Sequence, residues 1–218
     1  MSHQPPPRIE TAIAMLRRMA RPRVAAERCE FCNAAIASTH RHLLEAATRK
    51  ITCACDPCAM RFQDVVGGRF KLVPRDVRSL PAFQLTDNQW EGFALPINLT
   101  FFYRDTRVGR VIAMYPSPAG ATESLLPAGN WEGLEADNPA LAGMEPDVEA
   151  LLVNRIVGAR EYFIAPMDVC YELTGLIRMH WRGLSGGEEV WQKIDNFFAA
   201  LREKAVSPAA SPAEAFHA

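Results

Sequence analysis

The stretch that decides the fold begins with Cys29-Glu30-Phe31-Cys32 and ends with Cys53-Ala54-Cys55-Asp56-Pro57-Cys58. It holds five of the six cysteines, and His40-Arg41-His42 lies between the two groups. Two Cys-x2-Cys pairs about twenty residues apart are typical of a tetrahedral metal site. Each pair forms a tight turn that directs two thiolates at one ion, and a hairpin between the pairs brings the turns together. The stretch therefore predicts a small metal-binding module.

Five thiols are available, whereas a tetrahedral ion takes four ligands. We expect Cys29, Cys32, Cys55 and Cys58 to bind the metal, because both pairs then have the spacing of known zinc sites. We predict that Cys53 lies outside this ligand set, either as a buried thiol or as a group that supports a ligand.

His40 and His42 are two residues apart, so in a strand their side chains face the same side. They can donate hydrogen bonds to the sulfurs, replace one sulfur as a ligand, or form an ordinary polar strand face. The sequence leaves these three alternatives open.

Zinc is the expected metal and iron is the alternative, because both ions fit four thiolates. Turns of the rubredoxin type usually carry glycine after the second cysteine of a pair, whereas Asn33 and Ala59 occupy those positions here. This difference favours zinc over a rubredoxin-like iron redox carrier.

The bulk composition is that of an ordinary globular protein, with 49% apolar and 22% charged residues among 218. Lys and Arg total 24 against 25 Asp and Glu, and the resulting net charge of −1 argues against a nucleic-acid partner. The sequence has no apolar run of about eighteen residues to cross a membrane. Residues 1–7 lack the apolar centre of a signal peptide. We therefore expect a cytoplasmic protein with reduced thiols.

Changes in composition divide the chain into four segments. Residues 1–27 predict a tail and an amphipathic helix, and residues 28–73 form the Cys-rich module. Residues 74–206 predict an α+β domain, and residues 207–218 are an Ala/Ser/Pro-rich tail that we expect to be disordered. The helix in the first segment is indicated by apolar residues at helical spacing, namely Ile9, Ile13, Leu16 and Met19.

The fold class predicted is α+β: a zinc-ribbon-like module with four cysteine ligands, followed by an antiparallel sheet packed with helices. In the module, residues 41–45 and 49–53 predict a hairpin. In the larger domain, β-branched and aromatic residues predict two further strand pairs, 97–103 with 108–115 and 148–157 with 161–165. The start of 148–157 also fits helical spacing.

Four other local features are predicted. Residues 119–124 are expected to form a loop or the start of a helix. Thr86 or Asp87 is expected to cap a short helix, and Asp168 a longer helix that carries Cys170. The last helix is marked by apolar residues at helical spacing, namely Val190, Ile194, Phe197, Phe198 and Leu201.

No familiar catalytic motif occurs in the sequence: it has no nucleophile elbow, no dinucleotide fingerprint and no His-Glu-x-x-His. Cys170 and His180 lie on one predicted helix about 15 Å apart, too far for a nucleophile and its base. One polar site remains as an enzyme hypothesis, formed by Glu145, Asp147, Glu149, Arg155 and Arg160. The sequence therefore favours a protein that is not an enzyme.

Motifs along nearly the whole chain resemble one bacterial family. They are Cys29-Glu30-Phe31-Cys32, His40-Arg41-His42-Leu43-Leu44-Glu45, Cys53-Ala54-Cys55-Asp56-Pro57-Cys58, Tyr115-Pro116-Ser117-Pro118-Ala119-Gly120-Ala121-Thr122-Glu123-Ser124, Glu145-Pro146-Asp147-Val148-Glu149-Ala150-Leu151-Leu152-Val153-Asn154-Arg155 and the helix of Cys170-Tyr171. The family is uncharacterised, and its genes lie beside those of uptake nickel–iron hydrogenases. The resemblance implies an accessory role in hydrogenase assembly, maturation or electron transfer.

The function predicted is therefore that of a metal-binding accessory protein with a protein partner, either a hydrogenase subunit or another accessory protein. No membrane or nucleic acid is expected as a partner. The partner is expected to touch the face of the cysteine turns, the first helix around Ile13 and Leu16, or residues 120–124. The alternatives are an iron redox carrier and an enzyme that uses the polar site.

Overall fold

The computed structural model describes residues 27–63 and 68–206, which form a mixed α+β structure with two antiparallel sheets. The amphipathic helix predicted in residues 1–27 and the tail predicted at 207–218 lie outside the described residues. Among the residues described, no helix is both long and apolar enough to cross a membrane.

The smaller sheet holds the Cys-rich stretch. Strands β1 (Arg41–Glu45) and β2 (Ile51–Ala54) form the predicted hairpin, and β3 (Phe70–Leu72) pairs with the other edge of β1. Helix α1 (Asp56–Gln63) follows β2 directly. In the part of the chain that the structure describes, the apolar cluster under this sheet is small. Its buried members are Leu43, Ala54 and Ala59, with Phe31, Phe62 and Phe70 packed against them.

The larger sheet has the strand order β4-β9-β8-β5-β6-β7. Its strands are β4 (Arg78–Ser79), β5 (Leu99–Asp105), β6 (Arg110–Ser117), β7 (Gly120–Ser124), β8 (Glu149–Asn154) and β9 (Glu161–Pro166). The helices around it are α2 (Asp87–Gly92), α3 (Asn130–Asp137), α4 (Met167–His180) and α5 (Glu188–Lys204). Two short 3₁₀ turns lie at Pro139–Gly143 and Ile156–Gly158.

Helices cover both faces of this sheet. Phe101 packs in a core with apolar residues of α4 and α5, whereas Phe102 packs in a second core with Trp90 and Trp131 of α2 and α3. Successive side chains of a strand point to opposite faces, so a sheet covered on both sides needs strands that are apolar throughout. The middle parts of the central strands β5 and β8 meet this requirement, since Phe101–Tyr103 and Ala150–Val153 are apolar and buried, and the polar residues of both strands lie at or near their ends.

The predicted strand pairs are confirmed, with β5 paired to β6 and β8 to β9. Residues 148–157 therefore do not begin as a helix. Thr86 caps α2 in a reciprocal arrangement with Gln89, as the sequence indicated.

Two local predictions are wrong. Residues 119–124 form neither a loop nor a helix start, because Gly120–Ser124 is strand β7, paired with β6. Gly120 has a φ of 120°, which permits the tight reversal after Ser117, and the Ser117 hydroxyl donates to the Gly120 carbonyl at 2.8 Å. Asp168 does not cap α4; Pro166 precedes the helix, and the Asp168 carboxylate contacts His42.

The two sheets are joined by packing and by ion pairs. Leu44 of β1 is fully buried in the larger core. Arg49, in the turn between β1 and β2, lies 3.1 Å from the Asp105 carboxylate, and Lys71 of β3 lies 2.6 Å from that of Asp147. The Cys-rich stretch is thereby attached to the end of the larger sheet at which β5 finishes and β8 begins.

Candidate metal centre

The first cysteine pair lies in a tight turn before β1. The Asn33 amide donates to the Cys29 carbonyl at 2.8 Å, and the Cys29 amide donates to the Ala34 carbonyl at 2.9 Å. Asn33 has a φ of 60°, a left-handed conformation that asparagine tolerates better than most residues other than glycine. Asn33 therefore takes the position that glycine usually fills in such a turn.

Glu30, between the two cysteines of the first pair, fastens this turn to β2. Its backbone amide donates to the Cys53 carbonyl at 2.9 Å, and its carboxylate accepts from the Cys53 amide at 3.0 Å. The same carboxylate accepts from the Lys50 ammonium at 2.5 Å. These bonds hold the first pair beside the end of β2, where the second pair begins.

The second cysteine pair lies at the start of α1 and not in a second turn of the first kind. Cys55 immediately precedes the helix, its carbonyl accepts from the Ala59 amide at 2.9 Å, and Cys58 is in the first turn. The positive end of the helix dipole favours thiolates at this position. Pro57 suits the first turn of a helix, where its missing N–H has no partner to lose.

The four sulfurs of Cys29, Cys32, Cys55 and Cys58 lie within 4.8 Å of one another, and we call this group the four-thiol site. The Cys32 and Cys55 sulfurs are 3.6 Å apart. A tetrahedral zinc ion with Zn–S bonds of about 2.3 Å separates its sulfurs by about 3.8 Å. The four side chains can therefore hold a metal ion with little movement, and this is the set that the spacing indicated.

The pKa values of these thiols show how strongly they interact. Burial raises the pKa of Cys29, but hydrogen bonds from backbone N–H groups and from Cys32 outweigh it and lower the pKa to about 6. Burial, followed by hydrogen bonds with the other three thiols, raises the pKa of Cys58 well above its usual range. Four neighbouring thiols cannot all ionise without a compensating charge. A bound divalent cation supplies that charge and deprotonates its thiol ligands.

Cys53, His40 and His42 form a group of their own. One ring nitrogen of each histidine and the Cys53 sulfur lie within 4.8 Å of one another, and we call these three residues the His–Cys group. None of the three alternatives for the histidines describes this arrangement. Both rings lie beside Cys53 and not beside the four predicted ligands.

The residues of the enzyme hypothesis are distributed over separate ion pairs. Asp147 pairs with Lys71 and accepts from Thr106, and Glu149 pairs with Arg78 at 2.7 Å. Arg155 and Arg160 both contact the Asp87 carboxylate.

Cys170 is fully buried, and burial raises its pKa well above the usual range. His180 is 2.7 Å from Glu189. The structure therefore gives Cys170 a packing role in the core.

Two contacts of the site were not predicted from the sequence. The sequence does not single out Glu30, because a single acid between two cysteines has no distinctive spacing. The contact between His42 and Asp168 joins residues 126 positions apart, and no local pattern indicates it. The signal that could indicate Glu30 is the opposite charge of Lys50, in the turn between β1 and β2, with which it pairs.

Three comparisons show how this chain relates to known proteins and families. Neither the curated proteins nor the solved structures contain a match to this chain. A family model described as a family of unknown function, DUF5947, matches residues 28–205. The matched region includes both cysteine pairs, the His–Cys group and the larger sheet, so the chain belongs to the DUF5947 family.

Proposed function

We propose that this chain is a zinc-binding accessory protein that acts through contacts with another protein. Its role is to support the assembly, maturation or electron transfer of a nickel–iron hydrogenase. The observation that carries the proposal is the convergence of four cysteine sulfurs within 4.8 Å. Four protein ligands complete the coordination of a tetrahedral ion and leave no position for a substrate, which is typical of a structural metal. The hydrogenase assignment rests on the sequence resemblance described above.

The metal stabilises the zinc-ribbon-like module, residues 28–73. Among the described residues of this region, the module's own apolar cluster has three buried members, and the largest is Leu43. Leu44 and Val73 are buried in the larger core instead. A core of that size does not offset the conformational entropy of about forty ordered residues. Binding of a structural metal supplies folding free energy directly in small modules of this kind.

Zinc is favoured over iron by the second cysteine pair. In a rubredoxin-like centre both pairs lie in similar turns, whereas Cys55 and Cys58 lie at the start of a helix. Iron is the second candidate because Cys32 is exposed, and a sulfur ligand at the surface suits electron exchange. The visible spectrum of protein purified without oxygen distinguishes the two, because zinc thiolates are colourless and ferric thiolates are coloured.

Two described surfaces suit a protein partner. The first is the face of the four-thiol site around Cys32. The second is β7, the last strand of the larger sheet, which presents backbone N–H and C=O groups along its outer edge. Leu125, immediately after β7, is 75% exposed and adds an apolar contact beside this edge. The helix around Ile13 and Leu16 remains a third candidate, outside the described residues.

The decisive experiment is deletion of the gene in a host that makes the hydrogenase. We expect the deletion strain to lose hydrogenase activity or cofactor content while growing normally on other substrates. Wild-type protein should restore activity, and Cys58→Ser should not. His180→Gln, a change on α4 at a residue we place outside the module, serves as the matched control and should restore it. Normal hydrogenase activity in the deletion strain would refute the proposal.

A further inference from the structure

We propose that His40, His42 and Cys53 form a second metal site, which binds a divalent transition metal that accepts nitrogen and sulfur ligands. This site is separate from the four-thiol site. The proposal does not depend on the function proposed above. Zinc and cobalt, which share this ligand preference and tetrahedral geometry, are the metals with which to probe it.

The hairpin places the three ligands on one face. His42 lies directly opposite Cys53 in the register of β1 and β2, and His40 precedes His42 by two residues. Residues opposite one another on paired strands, and residues two apart on one strand, share a face of the sheet. The two imidazole rings have their centroids 4.6 Å apart. The three ligand atoms consequently lie within 4.8 Å of one another.

His40 presents an unpaired nitrogen to this site. Its Nδ1 lies 2.9 Å from the Ala37 carbonyl oxygen and 3.3 Å from the Glu27 carboxylate, which also can only accept. A carbonyl can only accept, so Nδ1 carries the hydrogen and Nε2 of the neutral ring carries a lone pair. The side chain is 7% exposed, and Nε2 is buried without a hydrogen-bond partner among the residues that the structure describes. A buried polar atom left in this state is costly, and a bound metal ion removes the cost by accepting the lone pair.

His42 is oriented in the same way by a carboxylate. Its Nδ1 lies 2.6 Å from the Asp168 carboxylate, which belongs to the first turn of α4. A carboxylate accepts the hydrogen of Nδ1 and leaves Nε2 to bind a metal. Metal-binding histidines almost always have such a partner on their second nitrogen, because it fixes the tautomer and the direction of the ring. Asp168 is therefore a positioning residue of the site.

An ion pair between His42 and Asp168 without metal is the simpler alternative. It accounts for the contact at 2.6 Å. It does not account for the buried, unpaired Nε2 of His40 or for the third ligand atom at Cys53. A metal site accounts for all three observations.

The ligand count distinguishes this site from the four-thiol site. Three protein ligands leave one position of a tetrahedral ion for water or a small anion. Both histidines line a cavity of about 520 Å³, together with Asp168, Arg75 and Lys204. The cavity gives a fourth ligand access to the site. Because the acids Asp76 and Glu172 also line it, its charge is mixed, and the expected fourth ligand is water, which an added anion such as azide can replace.

The test is a titration of the reduced, metal-free full-length chain with Co²⁺, followed by the d–d and sulfur charge-transfer bands. We expect wild-type protein to bind two ions, one at each group of ligands. Cys53→Ser and His40→Gln should each lose the second ion and keep the four-thiol spectrum, which also shows that the variant has folded. Cys170→Ala and His180→Gln are the matched controls, and each should bind both ions.

Asp168→Asn provides an independent readout, since it removes no ligand. We expect this variant to bind the second ion about 10- to 100-fold more weakly and to bind the four-thiol ion with unchanged affinity. Azide should bind at the open fourth position and shift the Co²⁺ absorption bands of the second ion only. Unchanged bands would overturn the claim that this position is open. A single bound Co²⁺ in wild-type protein, or two in Cys53→Ser, would overturn the second site. Neither result would affect the four-thiol site, which the same titration measures separately.

Discussion

Asp105 links the Cys-rich module to the larger sheet, and its charge is expected to stabilise both. Its side chain is fully buried at the end of β5. The carboxylate accepts from the Arg107 amide at 2.9 Å and from the Arg107 guanidinium at 2.9 Å. It also accepts from Arg49, in the turn between β1 and β2, at 3.1 Å. Replacement by asparagine keeps the size of the side chain and removes the charge.

The magnitude follows from the pKa of Asp105. Burial raises the pKa, but the hydrogen bonds from Arg107 and the charge of Arg49 outweigh burial and lower the pKa from 3.8 to about 2. A tenfold change in acidity corresponds to about 1.4 kcal/mol, so the ionised carboxylate contributes about 2–3 kcal/mol to stability at pH 7. For a chain of this size, Asp105→Asn should therefore lower Tm by about 5–10 °C.

The effect has a defined pH dependence. The folded pKa lies below the unfolded pKa, so the stabilisation is fully present above the unfolded value and is lost as the pH falls through the folded value. The difference between wild type and Asp105→Asn should be constant from about pH 8 to pH 5. Near pH 3 it should be about half as large.

The assay is urea denaturation followed by tryptophan fluorescence. Glu123→Gln is the control, because Glu123 is a partly exposed acid that also pairs with an arginine, Arg110, at 3.2 Å. A pair of this kind contributes about 0–1 kcal/mol. A loss below about 0.5 kcal/mol for Asp105→Asn at pH 7, or a loss equal to that of the control, would refute the reasoning.

Three further predictions concern the four-thiol site. Cys58→Ser should lose the bound metal and expose residues 28–69 to protease. The rest of the chain should keep its unfolding transition. Retained metal with full protease resistance would show that Cys58 is not a ligand. Cys53→Ser should keep the four-thiol metal, whereas Cys55→Ser should lose it, and the reverse pattern in metal analysis would exchange their roles. Asn33→Ala should destabilise the metal-bound protein by about 1–2 kcal/mol because alanine resists left-handed backbone, and Asn33→Gly by less; equal losses in thermal unfolding would contradict this.

The sequence determined those features that depend on residues close together in the chain. The spacing within Cys29–Cys32 and Cys55–Cys58 is a property of single turns, and the hairpin between them is fixed by two adjacent apolar strands. The same holds for β5 with β6, because short loops pair neighbouring strands. The wrong prediction for Gly120–Ser124 has a local cause, since a strand of small residues at a sheet edge lacks the apolar pattern on which strand prediction depends.

The packing of the folded chain determines which distant residues meet. Asp168 was expected to cap a helix, and the packing of α4 on the larger sheet, to which the small sheet is attached, makes it the partner of His42 instead. The register of β1 and β2 places Cys53 opposite His42, so its sulfur lies with the two histidines and not with the four predicted ligands. Spacing along the chain encodes what one turn or one strand can bring together. Cross-strand register and the packing of one element on another bring together residues far apart in sequence, and they depend on the whole core.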